Sequence, residues 1–213
     1  MSGTPLVLYG AGSQAYVLDE IVTSSGFQVE AILNDTEVPA GFALGVKVIE
    51  GRAAIDEWLK NASVGLHYAI SIGAHHGEAR SERHRLLRRS GLQPATLVHR
   101  TAWISKGAQI GEACQILAFA FVGTRARLGD AVILNTRASI DHECILGHGV
   151  HVGPSATVAG RVGIGDHTFI GTGASVCPDV TISANCIIGA GTVVTRSIHE
   201  PGTYVGSPAR RIG

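Results

Sequence analysis

Between Val98 and Val194 every sixth residue is Val, Ile or Leu, through Ile104, Ile110, Ile116, Val122, Leu128, Leu134, Ile140, Leu146, Val152, Val158, Ile164, Ile170, Val176, Ile182 and Ile188. Four residues after each comes a small or β-branched residue, such as Ala102, Ala108, Cys114, Ala120, Val132, Ala138 or Thr168. Gly often follows the aliphatic residue directly, as at Gly111, Gly123, Gly129 and Gly147. A period of six does not fit an α-helix, whose apolar positions recur near 3.6. It fits the hexapeptide repeat of a parallel β-helix. Each hexapeptide predicts one short strand and one corner, and three make a triangular coil of eighteen residues. The aliphatic side chain points into the prism, and the Gly is expected to permit the turn backbone. Coils stack at about the strand spacing of 4.8 Å. The alternative reading of the repeat is a structural solenoid without chemistry, against which the motifs below speak. It never breaks for a long loop, so walls for a second substrate must come from the preceding segment.

That segment has a different pattern. Pro5 to Tyr9 is a short apolar run, followed by Gly10-Ala11-Gly12-Ser13-Gln14-Ala15, a G-x-G-x-x-A turn. A helix is predicted over about Gln14 to Ser24 and a second strand over Gln28 to Leu33, ending in Asn34-Asp35. This is the opening β-α-β of a Rossmann-like domain. The glycines let backbone approach a phosphate, and the helix N-terminus favours an anion. Asn34 and Asp35 fall where such folds contact a ribose or base. Further on, Val46 to Ile49 predicts a strand, Gly51 to Leu59 a helix, and Leu66 to Ile72 a buried strand ending at Gly73. A Gly there lets a ligand approach the sheet edge. Glu78 to Arg89 predicts an Arg-rich helix whose arginines read as a solvated face, with His75 and His76 as loop residues before it. Leu92 to Leu97 then joins two domains, 1–95 and 96–213. The first is short for a dinucleotide fold and suits a mononucleotide group, although the same turn also occurs with no ligand.

Composition narrows the classes. Seventeen basic and seventeen acidic residues leave a formal net charge of zero, which speaks against a nucleic-acid or membrane-surface partner. No apolar run approaches the length of a membrane span. Met1 to Thr4 lacks a basic n-region and a cleavage site, so a cytoplasmic protein is expected. All four cysteines lie in the repeat: Cys114, Cys144 and Cys186 at the small interior position, Cys177 where Gly is common. They read as core or near-core thiols rather than disulfides or metal ligands.

Of ten histidines, His142 stands out, because Glu143 follows it outside the interior set. A His with a carboxylate neighbour can act as a general base, since the carboxylate stabilises the imidazolium; the pair is also compatible with an ordinary surface. Gly160 lies one coil beyond His142 in the same column, and its N–H is a candidate oxyanion donor. Thr172 and Ala190 stack likewise, with His151 on their side of the prism. His142 and His151 are half a coil apart, so they can share a site only across a subunit interface.

The unit Ile110 to Gln115 and its copy Ile170 to Ser175 resemble the left-handed β-helix acyltransferases, which usually form trimers with active sites between subunits. Val205-Gly206-Ser207-Pro208-Ala209-Arg210 resembles the tail that lies beside CoA in many of them, which places Arg210 or Arg211 against a CoA phosphate. With the N-terminal turn, and with Ile133-Leu134-Asn135-Thr136, Asp141-His142-Glu143-Cys144 and His151-Val152, the whole chain resembles one family. These are bacterial acetyl-CoA-dependent sugar acetyltransferases with a Rossmann-like N-terminal domain. They include the N-acetyltransferases of nucleotide-linked 4-amino-4,6-dideoxy sugars (bacillosamine and perosamine types) and sialic acid O-acetyltransferase-like proteins. The resemblance implies an α/β Rossmann-like domain followed by an all-β left-handed parallel β-helix, and a homotrimer. It implies a nucleotide-activated amino sugar as acceptor, acetyl-CoA as cosubstrate, no metal, and a place in polysaccharide or glycan biosynthesis. It assigns His142 as base supported by Glu143. His151, Thr172 and Ala190 take the acetyl-CoA positions. Gly12, Ser13, Gln14, Asn34, Asp35 and Gly73 take the nucleotide-sugar positions. Relatives often carry His in place of Gln14 and Asp in place of Asn34, on the sugar side; Thr172 and Ala190 also differ from a relative, at positions where a backbone contact would survive.

Three other readings compete. O-acetylation of a sugar hydroxyl, such as that of a sialic acid, would use the same base. A carbonic-anhydrase-like zinc enzyme on the same prism would need three interface histidines, for which His142, His148, His151 and His167 lack a matching spacing. A non-catalytic nucleotide-binding solenoid would bind ligand without releasing CoA. An NAD-dependent activity lacks the second half of its fold.

Overall fold

The computed structural model describes residues 3–63 and 65–212. Met1, Ser2 and Gly213, at the outer ends of the two segments assigned above, lie outside them. The chain begins with β1 (Thr4–Tyr9), α1 (Ser13–Ser24), β2 (Phe27–Asn34), β3 (Lys47–Glu50), α2 (Arg52–Lys60), β4 (His67–Ile70), α3 (Gly77–Arg89) and β5 (Gln93–Pro94). The five strands form one sheet in the order β3-β2-β1-β4-β5, all parallel. β1 is central and apolar on both faces, as a doubly covered parallel strand must be. Leu6 and Leu8 pack with Leu18, Ile21 and Val22 of α1. Val7 and Tyr9 pack with Ile55 and Leu59 of α2 and Leu87 of α3. The strand order reverses between β1 and β4, so their carboxyl ends open a crevice there.

From Leu97 onward the chain is a left-handed parallel β-helix of two-residue strands on three faces. The first face runs from Trp103–Ile104 through Phe121–Val122 and Ser139–Ile140 to Val193–Val194. The second runs from Gln109–Ile110 through Ile145–Leu146 to Thr181–Ile182. The third runs from Leu97–Val98 through Gln115–Ile116, Ile133–Leu134 and His151–Val152 to Cys186–Ile188. Each strand pairs with the one eighteen residues on, as Val122 with Ile140 and Leu134 with Val152. The aliphatic and small positions together make one continuous core, which includes Cys114, Cys144 and Cys186.

The glycines after the aliphatic positions serve a purpose other than the turn freedom read from the sequence. Left-handed backbone falls two residues later and is taken by ordinary residues, among them Ala113, Arg125, Ala131, Glu143 and Arg161, all with φ of 53–60°. The glycines instead permit close stacking. A Cβ on Gly111 would lie 2.5 Å from the Gly129 carbonyl oxygen, and one on Gly165 would strike the Ala184 backbone.

The chain does not stop adding strands at Val194. Gly202–Val205 joins the third face in parallel, and Arg210–Ile212 turns back against it.

The N-terminal domain sits on the third face. Ala113 joins the core on one side of its sheet, and Leu97 and Leu117 join the core on the other. The arginines of α3, expected as a solvated face, do much of the docking. Arg80 is fully buried and donates to backbone carbonyls of both domains. Arg88 pairs with Glu112 of the prism at 2.9 Å. Arg83 stays within the N-terminal domain, pairing with Asp35 and lying over the Tyr9 ring.

Candidate active site

The crevice at the ends of β1 and β4 is a cleft of about 420 Å³ whose floor is the prism. Gly10, with φ +115°, ends β1, and the Ser71 hydroxyl donates to its carbonyl oxygen. A Cβ on Gly10 would meet the Ser71 carbonyl oxygen at 2.9 Å, so glycine is required there. Gly12 caps α1 without any side-chain hydrogen bond, and Ser13 opens the helix. The first N–H groups of α1 therefore face the cleft without a side-chain cap and are available to an anion. Asn34 lines the same cleft while its Oδ1 accepts the Ala11 N–H at 2.9 Å, fixing the turn. Gln14 donates to Gln115 Oε1 at 2.7 Å, and Gln115 donates onward to the Ile70 carbonyl at 2.6 Å. Gly73 and Ala74 form the opposite wall.

Asp35 is not part of the cleft lining. Its carboxylate accepts the Tyr9 hydroxyl at 2.6 Å and pairs with Arg83 and Arg52. It braces the end of β2 from behind.

The prism supplies Asn135 and His151 to the cleft. His151 Nδ1 faces the Ala74 carbonyl at 2.9 Å, so that nitrogen carries the proton and donates. Nε2 then accepts from Asn135 Nδ2 at 3.2 Å. Burial, helped by the nearby Arg80 charge, pushes the His151 pKa down to about 4, so the ring is neutral at physiological pH. Phe169 stands edge-on to it. Thr172 and Ala190 are exposed at the corner where the third face turns into the first, and the Gly191 N–H donates to the Thr172 carbonyl. They continue the Asn135 side of the cleft along the prism.

His142 and Glu143 occupy a different corner, between the first and second faces. His142 Nδ1 lies 3.3 Å from Glu143 Oε1, and both side chains remain partly exposed. The Asp141 carboxylate accepts the His142 N–H at 2.7 Å, and the His142 carbonyl accepts from Arg161 of the next coil. Gly160 lies directly under the imidazole: a Cβ there would come within 2.5 Å of Nε2. The residue before Gly160 is Ala159, which has no side-chain acceptor of the kind Asp141 offers. Beside this column Arg161 makes a bidentate pair with Asp179, at 2.6 and 2.8 Å. Glu143 also borders a groove with Arg125 and Arg127.

The structure thus brings Gly12, Ser13, Gln14, Asn34, Gly73 and His151 together, with Thr172 and Ala190 adjoining. It groups His142, Glu143 and Gly160 elsewhere. One chain does not join the two sets, in keeping with the half-coil offset between His142 and His151. Arg210 lies apart from both, in a cavity with Arg196, His199 and Tyr204 near the tail. Sequence reasoning missed Ser71 and Asn135 as cleft residues, and it ranked a ligand contact for His76 behind a plain loop role. Asn135 carried a signal, since it stands where Gly often follows the aliphatic residue. Among the described residues no three His, Cys, Asp or Glu side chains converge as a metal site.

The bacterial transferase hexapeptide (six repeats) family profile matches residues 161–196. No curated protein sequence matches the chain. Among solved structures, PerB from Caulobacter crescentus in complex with CoA and GDP-perosamine is 33% identical, with a TM-score of 0.88, covering 98% of this chain and 97% of that one. A variant of the perosamine N-acetyltransferase of the same organism, also with CoA and GDP-perosamine, is 31% identical with the same TM-score and coverage. The acetyltransferase domain of PglB from Neisseria gonorrhoeae, in complex with acetyl coenzyme A, is 27% identical with a TM-score of 0.87, covering 99% of this chain and all of that one. With identity above 30% over nearly the full length of both chains, a shared two-domain fold and the hexapeptide repeat, this chain belongs to the nucleotide-sugar N-acetyltransferase family of left-handed β-helix acyltransferases and is an acetyltransferase that uses acetyl-CoA.

Proposed function

We propose that the protein transfers the acetyl group of acetyl-CoA to the amino group of a nucleotide-linked 4-amino-4,6-dideoxy sugar. The observation that carries this reading is the cleft of Gly12, Ser13 and Asn34, open for an anion at the α1 N-terminus. It occurs in a chain so similar to an enzyme solved with CoA and GDP-perosamine. In this reading residues 1–95 hold the nucleotide-sugar and residues 96–213 hold acetyl-CoA and the base. The diphosphate meets the α1 N-terminus. Acetyl-CoA runs along His151, Thr172 and Ala190, with Arg210 toward its phosphates. His142 comes from a neighbouring subunit of a homotrimer, because its own corner is remote from its own cleft. The protein works in the cytoplasm, in the assembly of a polysaccharide or glycan.

The sugar amine attacks the thioester carbonyl, forming a C–N bond. His142 Nε2 takes the proton the amine loses, and Glu143 stabilises the resulting imidazolium through Nδ1. The Gly160 N–H stabilises the developing oxyanion. The C–S bond breaks, and CoA leaves as its thiol with the proton returned.

The test is thiol release from acetyl-CoA against UDP-, GDP- and dTDP-linked 4-amino-4,6-dideoxyhexoses, with free and CMP-linked sialic acid alongside. Fast release with one amino sugar supports the reading and identifies the base. Release with sialic acid alone replaces it by O-acetylation, and silence across the panel refutes it.

A further inference from the structure

Arg80 has no exposed surface, and no carboxylate of the described residues pairs with it. Burial lowers its pKa only to about 10, so it stays charged at neutral pH. Its guanidinium donates instead to backbone carbonyls of three segments. Nη2 reaches Gly149 at 2.6 Å and Nε reaches Ala131 at 3.3 Å, both on prism corners. Nη1 is shared by Ile72, Gly73 and Ala74 at 3.3 to 3.4 Å, the wall of the cleft. Ala74 is a non-glycine residue at φ +52°, a conformation that persists only when its surroundings hold it. Its carbonyl is gripped twice, by Arg80 and by His151 Nδ1. Close by, a Cβ on Gly77 would strike the Gly149 carbonyl, so α3 already presses on the prism without help from Arg80.

If docking were the only need, an apolar side chain of similar volume would serve as well as a buried cation or better. A guanidinium adds two things: a rigid planar fork that fixes carbonyl directions, and a positive charge behind the cleft wall. We propose that Arg80 is a positioning residue for the acceptor nucleotide. It sets the 72–74 wall through its grip on the Ile72, Gly73 and Ala74 carbonyls before any ligand arrives. This rests on the reading of the cleft as the nucleotide-sugar site.

The test is calorimetric titration of GDP, UDP, dTDP and, separately, CoA into the wild-type protein, Arg80→Lys and Arg80→Met. The expected result is that both variants weaken the preferred nucleotide by roughly 10- to 100-fold, the scale of a misplaced wall. CoA affinity should change far less. Lys keeps the charge and loses the fork, so nucleotide affinity restored in Arg80→Lys alone overturns positioning in favour of charge. Equal weakening of nucleotide and CoA, or no weakening, also overturns the proposal. A wild-type protein that binds CoA and none of the nucleotides refutes the nucleotide cleft and this inference with it. Should both variants fail to fold, backbone order parameters of the wild type decide. Rigid residues 72–76 without ligand support a preset wall, and a mobile segment ordered only by nucleotide overturns it.

Discussion

His142 depends on a glycine one coil away. The imidazole lies over Gly160 because no Cβ intervenes. The side chain is partly exposed, so an alanine at 160 displaces the ring rather than unfolding the coil. His142→Ala is expected to lower turnover by about 10²–10⁴-fold, the usual worth of a general base, with the circular dichroism spectrum unchanged. Gly160→Ala should lower it in the same direction by at least about tenfold, because a ring moved off its proton no longer acts as base. Turnover near wild type in either variant would remove that residue from the mechanism. His151 is the opposite case, a histidine held neutral. Its folded pKa of about 4 lies below the usual 6.5, so the unfolded chain takes up its proton first as the pH falls. Its contribution to stability is therefore complete above about pH 6.5 and is lost between there and pH 4, up to about 3 kcal/mol. Urea midpoints at pH 7.5 and 4.5 should fall less in His151→Leu than in the wild type.

At the scale of elements, the cleft is the meeting of a helix start with two strand ends. α1 has no side-chain cap at Gly12, and a Cβ there meets nothing within 4 Å. Gly12→Asp is thus accommodated by the fold while placing a carboxylate where the reading puts a diphosphate. A loss of nucleotide-sugar affinity of about tenfold or more, with the melting temperature held, is the expected outcome of that repulsion and of capping the free N–H groups. An unchanged KM would mean that the phosphates lie elsewhere. The elements themselves were legible: β1, α1, β2, α2 and α3 lie within a residue or two of where apolar runs and turn residues place them. Asn34 and Asp35 were placed at the end of β2, yet they serve differently. Asn34 faces the cleft, and the carboxylate of Asp35 is taken up by Tyr9, Arg83 and Arg52. Spacing along a strand says where a residue sits, not which partner claims its side chain.

At the scale of the whole molecule, the prism separates the cleft on its third face from His142 at the opposite corner. A symmetric assembly lets every subunit's corner serve its neighbour's cleft. This yields a complementation test. His142→Ala and Gly12→Asp subunits, each impaired alone at subsaturating nucleotide-sugar, should recover part of the activity when refolded together, since some sites then pair an intact base with an intact cleft. Recovery is impossible if each chain carries a complete site. No helix among the described residues is long and apolar enough to cross a membrane.

The sequence by itself determined the stacked prism, because seventeen successive aliphatic positions at a period of six fall in columns, while its left hand came from the family resemblance and not from the period. It also determined the Gly160 column under His142, since residues eighteen apart are neighbours by arithmetic. Only the tertiary structure decided the roles of the α3 arginines. Helical spacing puts Arg80 on the face of His84 and Leu87, but that this face is closed over by a second domain is a property of their docking. It likewise decided why the repeat glycines are needed, because contact with the next coil is made across space, not along the chain.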